Sequence, residues 1–220
     1  MTRSNLTEIP DAELVRRAQD GSLDSFEEIV LRYEGRILRF LRFRTGDPRD
    51  AEEIAQDTFV AAHKNIHRYN PRFALGTWLY TIARRRAISR LRSRGPEHPA
   101  ADIEVESVDT RESSAGLEEA EEGTRIWNWV AQSVSEPQFT ALWLRYGEDL
   151  PVREVAKAMG KTVSHAKVLL HRGRRALVRA IGHGSETGRA PTRDARGRIV
   201  SRRAYFEDSI RRIEHAMSHS

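Results

Sequence analysis

PVREVAKAMGKTVSHAKVLLHRGRRAL, residues 151 to 177 of a 220-residue chain, reads as two helices joined by a tight turn, the second with a basic face. Pro151 suits a first helical position, where a missing N–H costs nothing, and Val152, Val155, Ala156 and Met159 recur at helical spacing. Met159, Gly160 and Lys161 form the short glycine-containing turn of a helix-turn-helix unit, and the Thr162 hydroxyl can cap the next N-terminus. From Val163 to Ile181 the second helix carries Lys167, Arg172, Arg174, Arg175 and Arg179 without an acidic residue, while Ala166, Leu169, Leu170, Ala176 and Leu177 supply apolar contacts. Such a helix fits a B-DNA major groove roughly 12 Å wide, with side chains near its N-terminus reaching base edges and flanking arginines meeting phosphates. An ordinary helical hairpin with a solvated basic face carries the same pattern, so the rest of the chain has to decide.

Length and a hydrophobic content of 39% suit small helical cores rather than one large one. A formal net charge of +5 and a pI near 9.9 favour a polyanionic partner. The chain has no cysteine, which excludes disulfides and thiolate metal sites and fits a reducing compartment. The N-terminus, MTRSNLTEIPDAEL, lacks the apolar core of a signal peptide, and no apolar run approaches the ~20 residues that span a bilayer. The expectation is a cytoplasmic protein with no membrane contact.

Residues 11 to 43 predict two helices broken at Gly21. Leu14, Val15 and Ala18 lie inside the first; Phe26, Ile29, Val30, Tyr33, Ile37, Leu38, Phe40 and Leu41 form the inner stripe of the second. Ser25 with Glu28 three residues later has the spacing of a capping box. Asp47 and Pro48 supply an N-cap and a preferred first residue for a third helix, expected to run to about His67 with Ala51, Ile54, Ala55, Thr58, Phe59, Ala62 and Ile66 inward. Its outer face gathers Glu52, Glu53, Gln56 and Asp57 near the N-terminus, where the helix dipole alone favours negative charge. His63 and His67 stand four apart, a spacing that could put two imidazoles on one metal, but further ligands at matching offsets are missing.

Tyr69, Asn70, Pro71, Arg72 and Phe73 read as a loop, because proline disfavours the α conformation in the residue before it. The following helix begins near Leu75, places Trp78, Leu79 and Ile82 in a core and then carries Arg84, Arg85, Arg86, Arg90, Arg92 and Arg94, with no acid between Arg72 and Arg94. Aromatics beside an arginine helix suit single-stranded nucleic acid, whose bases stack while cations follow the backbone; completing the core is the competing use of Phe73 and Trp78. Residues 95–123 bring Pro, Gly and clustered carboxylates opposed only by Arg111, the composition of an extended acidic linker. A second module starts at Thr124, with Ile126, Trp127, Trp129, Val130 and Val134, then Phe139, Leu142, Trp143, Leu144 and Tyr146 after Pro137. Beyond Gly182 a Gly- and Arg-rich stretch leads to Phe206, Ile210, Ile213 and Met217, one narrow apolar stripe that predicts an amphipathic helix over 201–217 in need of a docking partner.

Taken together these stretches resemble a sigma factor of the extracytoplasmic-function class of the sigma-70 superfamily. DAEEIAQDTF, Asp50 to Phe59, resembles the family's region 2.2; GTWLYTIARRRAISRLR, Gly76 to Arg92, resembles regions 2.3 to 2.4; and ALWLRYGEDLPVREVAKAMGKTVSHAKVLLHRGRRAL resembles region 4. The resemblance covers residues 11 to 94 and 124 to 181. It implies a first module that binds the β′ clamp of core RNA polymerase and captures the melted −10 element, and a second that reads the −35 element as duplex next to the β flap. Carried over by position, Glu52, Glu53, Gln56 and Asp57 would face the clamp, while Asn70, Arg72 and Phe73 would accept a flipped base with Arg84 and Arg85 alongside. Lys167, Val168, His171 and Arg172 would face −35 base edges, and Arg174 and Arg175 would meet mainly phosphates. An anti-sigma factor is a further partner the class allows. Arg85, Ser89 and Phe139 depart from residues the family usually has there, which are asparagine, aspartate and arginine.

The expected architecture is all-α: a region 2 domain over 11–94, an acidic linker over 95–123, a region 4 domain over 124–182 and a C-terminal extension over 183–220. The expected function is promoter recognition for bacterial RNA polymerase, without cofactor, metal or catalysis of its own. A stand-alone helix-turn-helix repressor or activator is the alternative, and it leaves residues 48 to 94 without a role. A metal-dependent nucleic-acid enzyme built on His63 and His67 is a third.

Overall fold

The structure is a computed structural model that describes residues 6–93 and 114–184, and the backbone of 192–193 and 199–200. It is helical, as expected, apart from a two-residue antiparallel pairing of β1 (Thr192–Arg193) with β2 (Ile199–Val200). Arg94, most of the acidic linker and the 201–217 stripe lie outside the described residues.

Helices α1 (Asp11–Gln19), α2 (Leu23–Thr45), α3 (Pro48–Asn65) and α4 (Leu75–Ser93) form the first module. Gly21, at φ 96°, takes the backbone between α1 and α2 through a region that side-chain-bearing residues avoid. The cap of α2 is Ser22 rather than the expected Ser25: its hydroxyl accepts the Ser25 N–H at 3.3 Å. Glu28 therefore cannot close a box with Ser25 and instead accepts from Arg32 Nε at 2.8 Å. Asp47 caps α3 as expected, accepting from Arg49 N–H at 2.8 Å, with Pro48 leading the helix. That helix stops at Asn65, two residues short of the expected His67, and tightens into a 3₁₀ turn over Ile66–Arg68.

Helices α5 (Ser114–Ser133), α6 (Glu136–Leu142), α7 (Val152–Met159) and α8 (Val163–Gly184) form the second module, with a π-helical turn at Trp143–Gly147. Here the linker reading needs correction, because α5 already begins at Ser114, ten residues inside the predicted extended segment. The run SAGLEEAEEG is rich in good helix formers, and their propensity, continued by the apolar positions after Thr124, outweighs acidity as a signal.

The expectation of separate small cores also gives way, since the two modules share one contiguous apolar core. Phe40 and Phe43 of α2 meet Phe139 and Trp143 at ring-centroid distances of 5.4–6.5 Å, and Trp127 of α5 closes the cluster 4.7 Å from Trp143. Phe139, where the family often has arginine, is an apolar contact across this seam. Polar groups cross it too. Arg36 pairs with buried Glu148, and Arg44, its side chain only 2% exposed, pairs with Glu136. Burial, with Arg84 nearby, lowers the Arg44 pKa against the opposing pull of Glu136. Buried Arg44 Nε and Arg84 Nε find no hydrogen-bond partner among the described residues, a condition that costs ~1–3 kcal/mol for each atom kept from water.

Candidate nucleic-acid interface

The turn between α7 and α8 has the geometry that its glycine predicts. Gly160 sits at φ 63°, its N–H bonds Lys157 C=O at 3.0 Å, and Lys161 N–H reaches back to Ala156 C=O at 2.9 Å, the paired closure of a Schellman motif. Thr162 then caps α8, its Oγ1 accepting from His165 N–H at 3.2 Å. Ala166, Leu169, Leu170 and Leu177 are buried, so the opposite side of α8 is left to solvent. Lys167, Val168, His171, Arg172, Arg174 and Arg175 are all exposed there, as the sequence predicted. Among the described residues none of these basic side chains is in an ion pair, and Val168 adds an apolar spot, 45% exposed, in their midst.

Gly173, which sequence reasoning passed over, sets the close approach of α8 to α6. A Cβ there would lie 3.0 Å from Leu142 Cδ1 and 3.4 Å from Gln138 Cβ. The available signal was a glycine in mid-helix, where it costs up to ~1 kcal/mol relative to alanine and so asks for a packing reason.

The predicted single-strand loop is an ordered turn. Asn70 Oδ1 accepts from Arg72 N–H at 3.0 Å, and Tyr69 Oη donates to Phe73 C=O at 2.6 Å. Asn70 and Arg72 are exposed; Phe73 is half-buried, with Lys157 Nζ of α7 4.9 Å from its ring centroid. Trp78, also half-buried, meets Tyr69 edge to face at 5.6 Å and belongs to the supporting wall of the loop. The two arginines assigned beside the loop separate. Arg85 is exposed, whereas Arg84 is half-buried in the seam near Arg44. Adjacent helical residues point about 100° apart, so one of a pair is free when the other packs.

On α3, Glu52, Glu53, Gln56 and Asp57 lie together on the exposed face. Three of them are answered by arginines: Glu52 by Arg42 at 3.2 Å, Glu53 by Arg90 at 2.6 Å and Asp57 by Arg86 at 3.3 Å. Arg90 also bonds Asp50, whose side chain is 2% exposed, at 3.2 Å. These cross-helix pairs were invisible in the sequence, because 10 to 40 residues separate the partners.

His63 packs edge-on against Phe26 at 4.8 Å, and His67 lies beyond the end of α3 in the 3₁₀ turn, so the two do not share one α-helical face. Among the described residues no helix is long and apolar enough to cross a membrane.

Comparison with known proteins places these surfaces in context. Residues 29–97 match the model of sigma-70 region 2, and residues 131–177 match that of sigma-70 region 4. The RNA polymerase sigma-H factor of Pseudomonas aeruginosa is 29% identical over 185 residues, 80% of this chain and 96% of that protein. The ECF RNA polymerase sigma factor SigW of Bacillus subtilis is 27% identical over 173 residues, covering 74% and 92%. Among solved structures, CnrH in complex with the cytosolic domain of CnrY aligns with a TM-score of 0.59 at 18% identity, over 79% of this chain and 97% of that one. RpoE of Bartonella quintana, in complex with the anti-sigma factor NepR, aligns with a TM-score of 0.54 at 23% identity, over 70% and 95%.

Proposed function

The chain belongs to the extracytoplasmic-function class of the sigma-70 family, and from that premise we propose that it directs bacterial RNA polymerase to promoters and assists their melting in the cytoplasm. The observation that carries the reading is the coexistence, in one chain, of the exposed carboxylate face of α3 and the exposed basic face of α8. A stand-alone helix-turn-helix regulator would use only the second.

In this reading Glu52, Glu53, Gln56 and Asp57 contact the β′ clamp. The turn of Asn70, Arg72 and Phe73, with Arg85 beside it, accepts the unstacked −10 base. Arg84 joins that surface only if the seam opens. Lys167, Val168, His171 and Arg172 read −35 base edges in the major groove, while Arg174 and Arg175 hold phosphates. The chain binds and positions; bond formation belongs to the polymerase, and no cofactor is required of this subunit.

Run-off transcription with purified core polymerase tests the whole assignment. The double variant Glu53→Lys with Asp57→Lys should lose core binding while keeping its helical circular dichroism signal. Wild-type affinity for core in that variant would remove α3 from the polymerase interface.

A further inference from the structure

We infer that the seam holds a binding site for a small free oxyanion, phosphate or sulfate, between α2, α4 and α6, with Arg44 and Arg84 as its cations and Glu136 as a built-in competitor.

The site begins with two arginines on stripes that are otherwise apolar. Ile37, Phe40 and Leu41 of α2 are fully buried, and Arg44 takes the next position of the same helical face. On α4, Arg84 stands between buried Tyr80 and Ala87, four residues after one and three before the other. The Arg44 side chain is 2% exposed, and Arg84 lies near enough to lower its pKa, adding to the larger effect of burial. A guanidinium keeps its charge and carries five donors, so burying one calls for a counter-ion and for acceptors on more than one side. Against these two cations the described residues supply one carboxylate, Glu136, which pairs with Arg44. Arg36 is answered separately by Glu148. The cluster keeps one positive charge in excess, and Nε of both arginines lacks an acceptor.

Glu136 marks where an acceptor fits. Its Oε1 pairs with Arg44 Nη1 and accepts from the hydroxyl of fully buried Thr140 at 2.9 Å. The glutamate side chain itself is 43% exposed on the first turn of α6, so it can swing into water and leave that place without any helix moving. An oxyanion entering there meets Arg44 and the Thr140 hydroxyl, cancels the excess charge shared with Arg84, and offers oxygens to donors that one carboxylate leaves idle. A phosphodiester held in a nucleic-acid strand is too bulky to reach a guanidinium closed off to this degree. The bound ion ties helices of both modules together. Because a ligand of the folded form stabilises it by mass action, the strength of that joint rises with the free oxyanion concentration.

Thermal unfolding of the full-length chain tests the site, with sodium phosphate titrated to about 50 mM against sodium chloride at constant ionic strength. The midpoint should rise saturably, by about 3–6 °C at ten times the dissociation constant, and the phosphorus NMR line of the ion should broaden over the same range. Sulfate should act alike. Exchanging a buried cation for an apolar side chain is often neutral for folding, so Arg44→Met and Arg84→Met should fold and each lose the saturable rise. Glu136→Gln, which removes the competing charge, should bind phosphate about tenfold more tightly than wild type. A flat midpoint in wild type overturns the site. So does a rise that Arg44→Met and Arg84→Met both retain, which would put the ion on the exposed face of α8. Weaker phosphate binding by Glu136→Gln overturns it as well, since the glutamate would then be part of the site rather than its competitor. Should Arg44→Met fail to fold, Arg84→Met and Glu136→Gln still decide, one by a loss and the other by a gain.

Discussion

Helices α4 and α8 are both arginine-rich and both carry one glycine at a close helix contact, yet they spend their charge in opposite ways. On α4, Arg86 and Arg90 are tied to carboxylates of α3 and Arg84 is drawn into the seam. On α8, Lys167, Arg172, Arg174 and Arg175 stand exposed with no carboxylate partner among the described residues. One helix is chiefly a scaffold whose cations hold a neighbour in register; the other is a face kept free for an external polyanion. Basic composition alone therefore does not identify a nucleic-acid surface: what separates the two helices is whether acids from elsewhere in the chain reach the same side.

The strongest way to break this contrast is to truncate one apolar residue on each helix. Leu79→Ala on α4 removes a fully buried side chain and should cost ~2–5 kcal/mol, whereas Val178→Ala on α8, at 60% exposure, should stay within ~0.5 kcal/mol. Comparable losses in urea denaturation would mean that α8 is packed as tightly as α4. Next in size comes the division within α8 itself. His171→Ala should cost ~1–3 kcal/mol at a single −35 position in a promoter library, while Arg175→Ala should weaken every sequence and lower the salt slope by about one. Uniform weakening by both would leave α8 a phosphate-binding helix without base readout.

Gly173→Ala sharpens the comparison from the packing side. The new methyl meets Leu142 and Gln138, and overpacking of this kind typically costs ~1–3 kcal/mol, partly offset by up to ~1 kcal/mol of helix propensity. The expected net loss is about 1 kcal/mol by thermal melting; a gain would show that α6 yields easily. The smallest effect belongs to Arg86→Ala, which removes an exposed pair with Asp57 and should change stability by less than ~1 kcal/mol. A larger loss would mark the α3–α4 contact as an ion-pair network rather than a set of separate surface bridges.

Periodicity and cap chemistry were enough to read the four helices of the first module, the Asp47 cap and the helix-turn-helix with its Gly160 turn and Thr162 cap. They also separated the exposed from the buried side of α3 and α8. All of these depend on residues within a turn or two of each other, and side chains at such spacing meet in any helix that forms. The Ser22 cap and the early end of α3 were local choices between near-equal alternatives, and the start of α5 at Ser114 follows helix propensity rather than acidic composition. The remaining features required the folded chain. Arg90 meets Asp50 and Glu53 across two helices, Phe139 meets Phe40 and Phe43 across two modules, and Glu154 caps a helix that begins 79 residues earlier in the chain, at Leu75. In a linear pattern a carboxylate at the start of α7 and an arginine near the end of α4 look like solvated charges, because nothing local records which distant group will lie opposite. Only when the apolar stripes of α2, α4, α6 and α7 close on one another does the chain decide which charges face water and which face each other.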